Sequence, residues 1–240
     1  MLNQEMIDGL TELARQRQEE LDEQIDTWRA DAGKGLRIWC GPGCGNCCTL
    51  TVNTTLLEAF AIERTLDAGM RQKVTATCDR IIAHTAASKD TRGFLTGYRK
   101  AVGPCPFLDD SGSCTIYGQR PLACRALLAT RPPEWCGVNL AELPQIERDS
   151  FLAGLDRQHV AWPTHYAAAP QAMAADLERG LTFAMIRAFG FGVTGSLPLL
   201  VHFCGLSETS AALAEGINAF QAFIGEQAAN HPCLIQIELP

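Results

Sequence analysis

The sequence predicts a mainly α-helical fold in which two irregular cysteine-rich loops converge on a metal site. Apolar residues recur at helical spacing along most of the chain, and few segments alternate between polar and apolar residues as strands do. In addition, eight of the 11 cysteines fall in two segments that are rich in glycine and proline and have no helical period. The helices are therefore predicted from the spacing of apolar residues, and the cysteine loops are predicted from the glycine and proline content around the cysteines.

The composition is that of a folded protein with an acidic surface. Of the 240 residues, 47% are hydrophobic and 20% are charged, which is typical of a chain with a buried core. The 20 Lys and Arg against 27 Asp and Glu give a net charge of −7, which argues against a nucleic-acid-binding protein. The most apolar stretch, residues 181–206, contains Arg187, several glycines and Pro198, so we predict no membrane-spanning helix.

The first predicted element is a long amphipathic helix at about residues 3–30. Its apolar positions are Met6, Leu10, Leu13, Leu21, Ile25 and Trp28. We interpret it as a helix that covers the core, with a dimer seam as the alternative. The N-terminus has neither the basic start nor the apolar segment of a signal peptide, which favours a cytoplasmic protein.

Two helices are predicted between the cysteine loops. The first begins at an N-cap formed by Thr54-Thr55 and ends at Gly69. The second spans about residues 71–87. Its apolar face consists of Val74, Cys78, Ile81 and Ile82.

A short helix is predicted at about residues 121–129, with Pro121 at its first position. Three or four further helices are expected between residues 140 and 230. Their predicted separators are Pro144, Trp162-Pro163, the glycines at 190–195, and Pro198.

We expect these elements to form one compact domain with three regions. An N-terminal amphipathic helix occupies residues 1–35 and a cysteine-cluster metal-binding region occupies residues 36–138. A helical C-terminal region at residues 139–240 packs on them. A chain of this length can bury about 70% of its unfolded surface, so it does not need cross-links to fold.

The clustered cysteines form two groups of four. The first group is Cys40, Cys44, Cys47 and Cys48, and the second is Cys105, Cys114, Cys124 and Cys136. In a cytoplasmic protein such clusters are more often metal ligands or catalytic residues than disulfides. The thiolate is the metal ligand, and two residues between cysteines let a tight turn direct both sulfurs at one point. We predict all eight as metal ligands and expect Cys78, Cys204 and Cys233 to be core residues.

Two features of the groups constrain the geometry. Adjacent side chains point in different directions, so Cys47 and Cys48 cannot bind one ion side by side. They either belong to two different centres or surround a larger iron–sulfur cluster. Cys124 lies in the first turn of a predicted helix, whose dipole favours a thiolate, and Arg120 and Arg125 flank it.

Several short motifs together resemble the CxxCxxCC family of YkgJ-like cysteine cluster proteins. They are C-G-N-C-C at 44–48, C-P-F-L at 105–108, C-x-I-Y at 114–117 and R-P-x-x-C-R at 120–125. The resemblance covers roughly residues 40–136 and implies a zinc- or iron-chelating protein. The family pattern has two residues between its first two cysteines, whereas Cys40 and Cys44 have three between them. Some relatives are lysine N-methylases that act on flagellin and are thought to carry an iron–sulfur cluster.

The sequence therefore predicts a metal-binding protein whose cysteines hold an iron–sulfur cluster, zinc or both, with a structural or redox role. Iron–sulfur is the leading cofactor because vicinal cysteines fit better around a cluster than on a tetrahedral ion. One alternative is an iron–sulfur-dependent enzyme that resembles the lysine N-methylases, and another is a module for metal chelation or delivery. Metal ions are the expected partners. A protein partner or substrate stays open, and no catalytic residue is identified.

Three other patterns are weaker. The G-x-G-x-x-G pattern at 190–195 follows a helical segment, so we interpret it as a flexible turn between helices rather than a dinucleotide site. His159 and His165 are the best histidine candidates for an additional ligand. The spacing of Cys44 and Cys47 also suits thiol–disulfide exchange, but no βαβ pattern surrounds it.

Overall fold

Helices make up about 59% of the protein in the computed structural model, which describes residues 4–240. In this part of the chain the helices α1 to α10 span, in order, Gln4–Ala30, Leu56–Glu63, Ala68–Ala87, Thr91–Ala101, Leu122–Ala126, Gln145–Ala153, Ala168–Phe189, Leu197–Cys204, Ser207–Glu215 and Ile217–Glu226. The predicted fold class is confirmed. Of the eight clustered cysteines, only Cys124 lies in an α-helix.

The N-terminal helix α1 matches its predicted position but buries a slightly different face. It packs on α2, α5 and α7. Leu21 and Ile25 are buried as predicted, whereas Met6 is 37% exposed and Ile7 takes its place against the core. Gln18 also lies in the buried stripe because its side chain reaches Glu58 of α2.

The capping signal at the start of α2 is confirmed. Thr55 and Glu58 form a reciprocal capping box in which each side chain accepts a hydrogen bond from the other residue's backbone N–H. The prediction that this helix ends at Gly69 is wrong, because α2 ends at Glu63. Asp67 caps a new helix, α3, and Gly69 lies within its first turn.

Helix α5 is shorter than predicted. It begins after Pro121, which is the N-cap rather than the first helical residue, and it ends at Ala126. The chain beyond it instead pairs with two other segments, since Ala129 accepts a hydrogen bond from the Trp39 N–H and Thr130 donates to His165. The sequence analysis also did not predict α4, which buries Phe94 and Tyr98.

A small antiparallel sheet was not predicted. Its strands, in the spatial order β1-β2-β3, are Asn53–Thr55, Gly192–Ser196 and Ile235–Glu238. The interpretation of residues 190–195 as a flexible turn is therefore wrong, because most of this segment is the central strand. A Cβ at Gly195 would lie 2.3 Å from the Leu234 carbonyl oxygen. The glycine thus permits close backbone approach rather than a turn.

The C-terminal part contains five helices, α6 to α10, rather than three or four. Pro198 lies in the first turn of α8 instead of between helices, where its missing N–H costs no hydrogen bond. Helix α8 is largely buried and packs on α2 and α3. The division into three regions stays a prediction.

Within residues 4–240, no single helix has the length and apolarity needed to cross a membrane. Helices α8 and α9 pass that test only as a pair, with a bend of 93° between them.

Candidate metal centre

The two cysteine-rich loops are in direct contact. The backbone N–H of Cys105 donates to the carbonyl of Cys48 at 2.8 Å. Gly45 approaches the second loop so closely that a Cβ there would lie 2.8 Å from the carbonyl oxygen of Gly112. Any side chain at this position would separate the loops, so the glycine-rich sequence is needed for the contact.

A tight turn connects Cys105 and Cys114. The Asp109 N–H donates to the Ser113 carbonyl, and the Asp109 carboxylate accepts from the backbone N–H groups of Ser111 and Ser113, all at 2.9 Å. This side-chain-to-backbone pattern stabilises the turn. The turn therefore holds the second loop in a defined shape.

Backbone N–H groups lie near three of the sulfurs. Ala129 donates to the Cys40 Sγ at 3.0 Å. Burial raises the pKa of Cys105 and of Cys114, and the backbone N–H groups of Phe107 and Ile116 oppose that rise. Such donors stabilise a thiolate relative to a thiol, and in metal sites they tune the sulfur ligand.

Helix α5 positions Cys124, and the buried carboxylate of Glu58 positions α5. The backbone N–H of Leu122, the first residue of this helix, donates to Glu58 at 2.7 Å. The same carboxylate accepts from the Thr54 hydroxyl and the Thr55 N–H, each at 3.0 Å. A carboxylate at a helix N-terminus also interacts favourably with the helix dipole. Glu58 was not predicted as a residue that positions the site, although the Thr55-x-x-Glu58 capping pattern is visible in the sequence.

The two arginines that flank Cys124 have different surroundings. Arg125 is 8% exposed and anchors α5 through hydrogen bonds to Asp22 of α1 and to the Arg120 carbonyl. The Arg120 guanidinium instead lies over the Tyr117 ring, 3.7 Å from its centroid. Arg120 also lines both of the cavities around which the clustered cysteines lie. Arg120 therefore places a positive charge beside the cysteines of both cavities.

All eight predicted cysteines line two adjoining cavities. The first cavity is lined by Cys44, Cys47, Cys48, Cys105, Cys114 and Cys124. The second cavity is lined by Cys40, Cys44, Cys47, Cys124 and Cys136. The three isolated cysteines line neither of them, and the thiol of Cys78 points to the Pro198 carbonyl in the core. The sequence groups therefore mix, because each cavity takes cysteines from both loops.

The sulfurs surround the cavities without closing on one point. Among residues 4–240, no three Cys, His, Asp or Glu side chains adopt metal-binding geometry. Burial raises the pKa of Cys105 to about 12 and the pKa of Cys136 to about 11. A hydrogen bond to Cys48, together with burial, raises the pKa of Cys47. These three thiols are thus neutral at pH 7 unless a cation stabilises their thiolates.

The donor set fits a thiophilic metal. Thiolates select zinc and iron–sulfur clusters over hard cations, which prefer oxygen ligands. Backbone N–H donors and the Arg120 charge add the compensation that a set of anionic sulfurs requires. Free thiolates would be costly to bury in the first cavity, whereas a bound cation would balance their charge.

The histidine predictions have different outcomes. The Nε2 of His165 lies 3.3 Å from the Sγ of Cys136, whereas the Nδ1 of His159 pairs with Asp156. The structure therefore brings His165, and not His159, to the clustered cysteines.

Residues 39–139 match the model of the CxxCxxCC family, which is described as a putative zinc- or iron-chelating domain. This stretch includes all eight clustered cysteines. This part of the chain is therefore similar to the CxxCxxCC domain, and it holds the cysteines through which such a domain would chelate a metal ion. Comparisons with curated proteins and with solved structures find no significant match.

Proposed function

We propose that this protein binds metal in two adjoining cysteine centres and that at least one of them is an iron–sulfur cluster. The observation that carries the proposal is the lining of the two cavities by all eight clustered cysteines. Eight thiolates suffice for two centres with four ligands each. The match to a putative zinc- or iron-chelating domain supports the binding of metal.

The cavity linings suggest how the ligands divide. Cys48, Cys105 and Cys114 line only the first cavity, and we assign Cys124, which lines both cavities, to the same centre so that it has four ligands.

Cys40 and Cys136 line only the second cavity. We assign Cys44 and Cys47, which line both cavities, to this centre so that it too has four ligands. In this assignment the vicinal pair Cys47-Cys48 divides between the two centres.

An iron–sulfur cluster is the preferred occupant of the first centre. Its cavity is lined by apolar residues and contains sulfurs from three separate segments of the chain. A cluster spans a wider set of sulfurs than a single zinc ion, whose four ligands lie about 2.3 Å from the metal. When bound, such a cluster supplies one-electron redox chemistry. The cysteines hold it, their N–H donors and Arg120 compensate its charge, and the apolar lining excludes water.

The proposal is tested by the metal and acid-labile sulfide content of anaerobically purified, untagged protein, together with its visible spectrum. We expect a brown protein with iron and sulfide in similar amounts. A colourless protein with one or two zinc ions would contradict the iron–sulfur assignment but retain the cysteine centres, which would then be structural. Metal lost rapidly to a mild chelator without unfolding would instead favour a delivery module.

The site itself is tested by the double variant Cys47→Ser/Cys124→Ser. We expect it to lose its metal, because these two cysteines line both cavities. Cys233→Ser is the matched control, since its thiol lies beside Thr91 and away from the two cavities. Full metal content in the double variant would overturn the assignment.

A further inference from the structure

We propose that His165 and Tyr166 are positioning residues for Cys136 and that their hydrogen bonds slow the loss of metal from the second centre. Both residues lie outside residues 39–139, the part of the chain that matches the metal-chelating domain. The inference rests on the proposed function, since it concerns a metal bound through Cys136. It assigns to the C-terminal region a part in the metal site.

The geometry around Cys136 carries the inference. The His165 Nε2 lies 3.3 Å from the Cys136 Sγ, and Tyr166 packs in the same buried cluster as Cys136. Burial raises the pKa of the Cys136 thiol, and the Tyr166 hydroxyl opposes that rise. The exposed fractions of the three residues are 5%, 7% and 3% for His165, Tyr166 and Cys136. An imidazole and a phenol that pack beside one sulfur away from water are a specific arrangement, because buried polar groups need partners.

The segment that contains His165 and Tyr166 is also hydrogen-bonded to residues that contact another cysteine of the second cavity, Cys40. The His165 carbonyl accepts from the backbone N–H and the hydroxyl of Thr130, at 2.9 and 2.8 Å. Tyr166 forms a β-bridge with Ala129, whose own N–H donates to the Cys40 sulfur. Residues 129–130 thus connect the His165–Tyr166 pair to a second ligand of the proposed centre.

The chemistry favours a donor over a further ligand. A metal-bound cysteine sulfur carries no proton, so it can only accept, and the facing ring nitrogen of His165 must carry the hydrogen. Cys40, Cys44, Cys47 and Cys136 already supply four ligands. Hydrogen bonds from outside the ligand set orient the ligand and stabilise its charge, and their removal typically costs 10–100-fold in metal affinity.

The experiment compares three variants of the full-length metal-loaded protein. Tyr166→Phe removes only the hydroxyl, His165→Leu removes the ring donor, and His165→Gln keeps an N–H at similar reach. His159→Gln is the matched control on the same segment, because the His159 ring bonds Asp156 rather than a cysteine. The readouts are the metal bound per chain, the sulfur-to-metal charge-transfer spectrum, and the rate of metal release to excess EDTA.

We expect every variant to bind as much metal as the wild type. Release of the more labile metal should accelerate about 10-fold in Tyr166→Phe and His165→Leu, with a shifted charge-transfer band, and should stay near the wild-type rate in His165→Gln. Wild-type release and spectra in Tyr166→Phe and His165→Leu would overturn the inference. So would the loss of one metal equivalent in His165→Leu, which would make His165 a ligand. A wild-type protein without metal would instead refute the proposed function itself.

Discussion

The two cavities share cysteines but differ in what surrounds them. Apolar side chains close the first cavity, among them Leu50, Val52, Phe107, Ile116 and Leu197. The second cavity is bordered by charged residues, which include Asp22, Asp26, Arg29 and Arg125. Three of these four belong to α1, so the second cavity faces the polar side of the N-terminal helix.

This difference has consequences for metal binding. Electrostatic interactions are stronger in a low-dielectric interior than beside solvated charges, and water or a chelator reaches an enclosed site less easily. We therefore expect metal in the first cavity to be held more firmly than metal in the second.

The largest predicted effect is the separate loss of each centre. Cys114→Ser should remove the metal of the first cavity alone and Cys136→Ser that of the second alone, because each cysteine lines only one cavity. Each variant should retain about half of the wild-type metal, measured by elemental analysis per chain. If either single variant loses all of its metal, the two cavities are one centre and the comparison fails.

The next effect concerns the helix that forms a wall of both cavities. Glu58→Ala should reduce the free energy of unfolding by about 3–5 kcal/mol, since the Leu122 N–H and the Thr54 hydroxyl lose their buried acceptor. Urea denaturation measures this loss. Glu19→Gln is the control, because its ion pair with Arg15 is exposed and contributes no more than about 1 kcal/mol. A Glu58→Ala protein as stable as the control would show that α5 is positioned otherwise.

The smallest predicted effect is a pH dependence of the stability of the fold, which arises from a glutamate on the helix that packs against α5. Burial, and then the negative charge of Glu58, raises the pKa of Glu178 from 4.5 to about 7. Between these values the folded protein holds a proton that the unfolded chain has lost, so this group stabilises the fold at low pH. Its contribution falls as the pH rises through about 7. Glu178 lies on α7, which packs on α5.

Glu178→Gln should remove this decline. The stability of the variant minus that of the wild type should therefore be larger at pH 8 than at pH 5. Thermal unfolding of both proteins at the two pH values measures this difference. An identical difference between the two proteins at pH 5 and pH 8 would contradict the assignment.

Local patterns predicted much of the fold. The spacing of apolar residues predicts α1 and α3 almost to their observed ends. The capping pattern at Thr55 predicts the start of α2. These features depend on residues within four positions of each other, so a short window of sequence contains the interactions that stabilise them.

The glycines show where local reasoning fails. A glycine at position 195 is compatible with a turn and with a strand, and only the backbone of Leu234 across the sheet makes it part of a strand. Gly69 does not end a helix, because Asp67 caps a new helix there. The interaction that decides the structure is distant in sequence at Gly195 but local at Gly69.

The sequence by itself determined the candidate site residues: eight cysteines in two groups, with motifs similar to those of a putative zinc- or iron-chelating domain. Only the tertiary structure decided how they combine. It brought cysteines of both groups to each cavity, placed Glu58 under the start of α5, and set His165 beside Cys136. The physical reason is that such contacts are distant in sequence: Glu58 and Leu122 are 64 positions apart, and Cys136 and His165 are 29 positions apart. They depend on the packing of the whole chain, whereas ligand chemistry and spacing belong to the residues themselves.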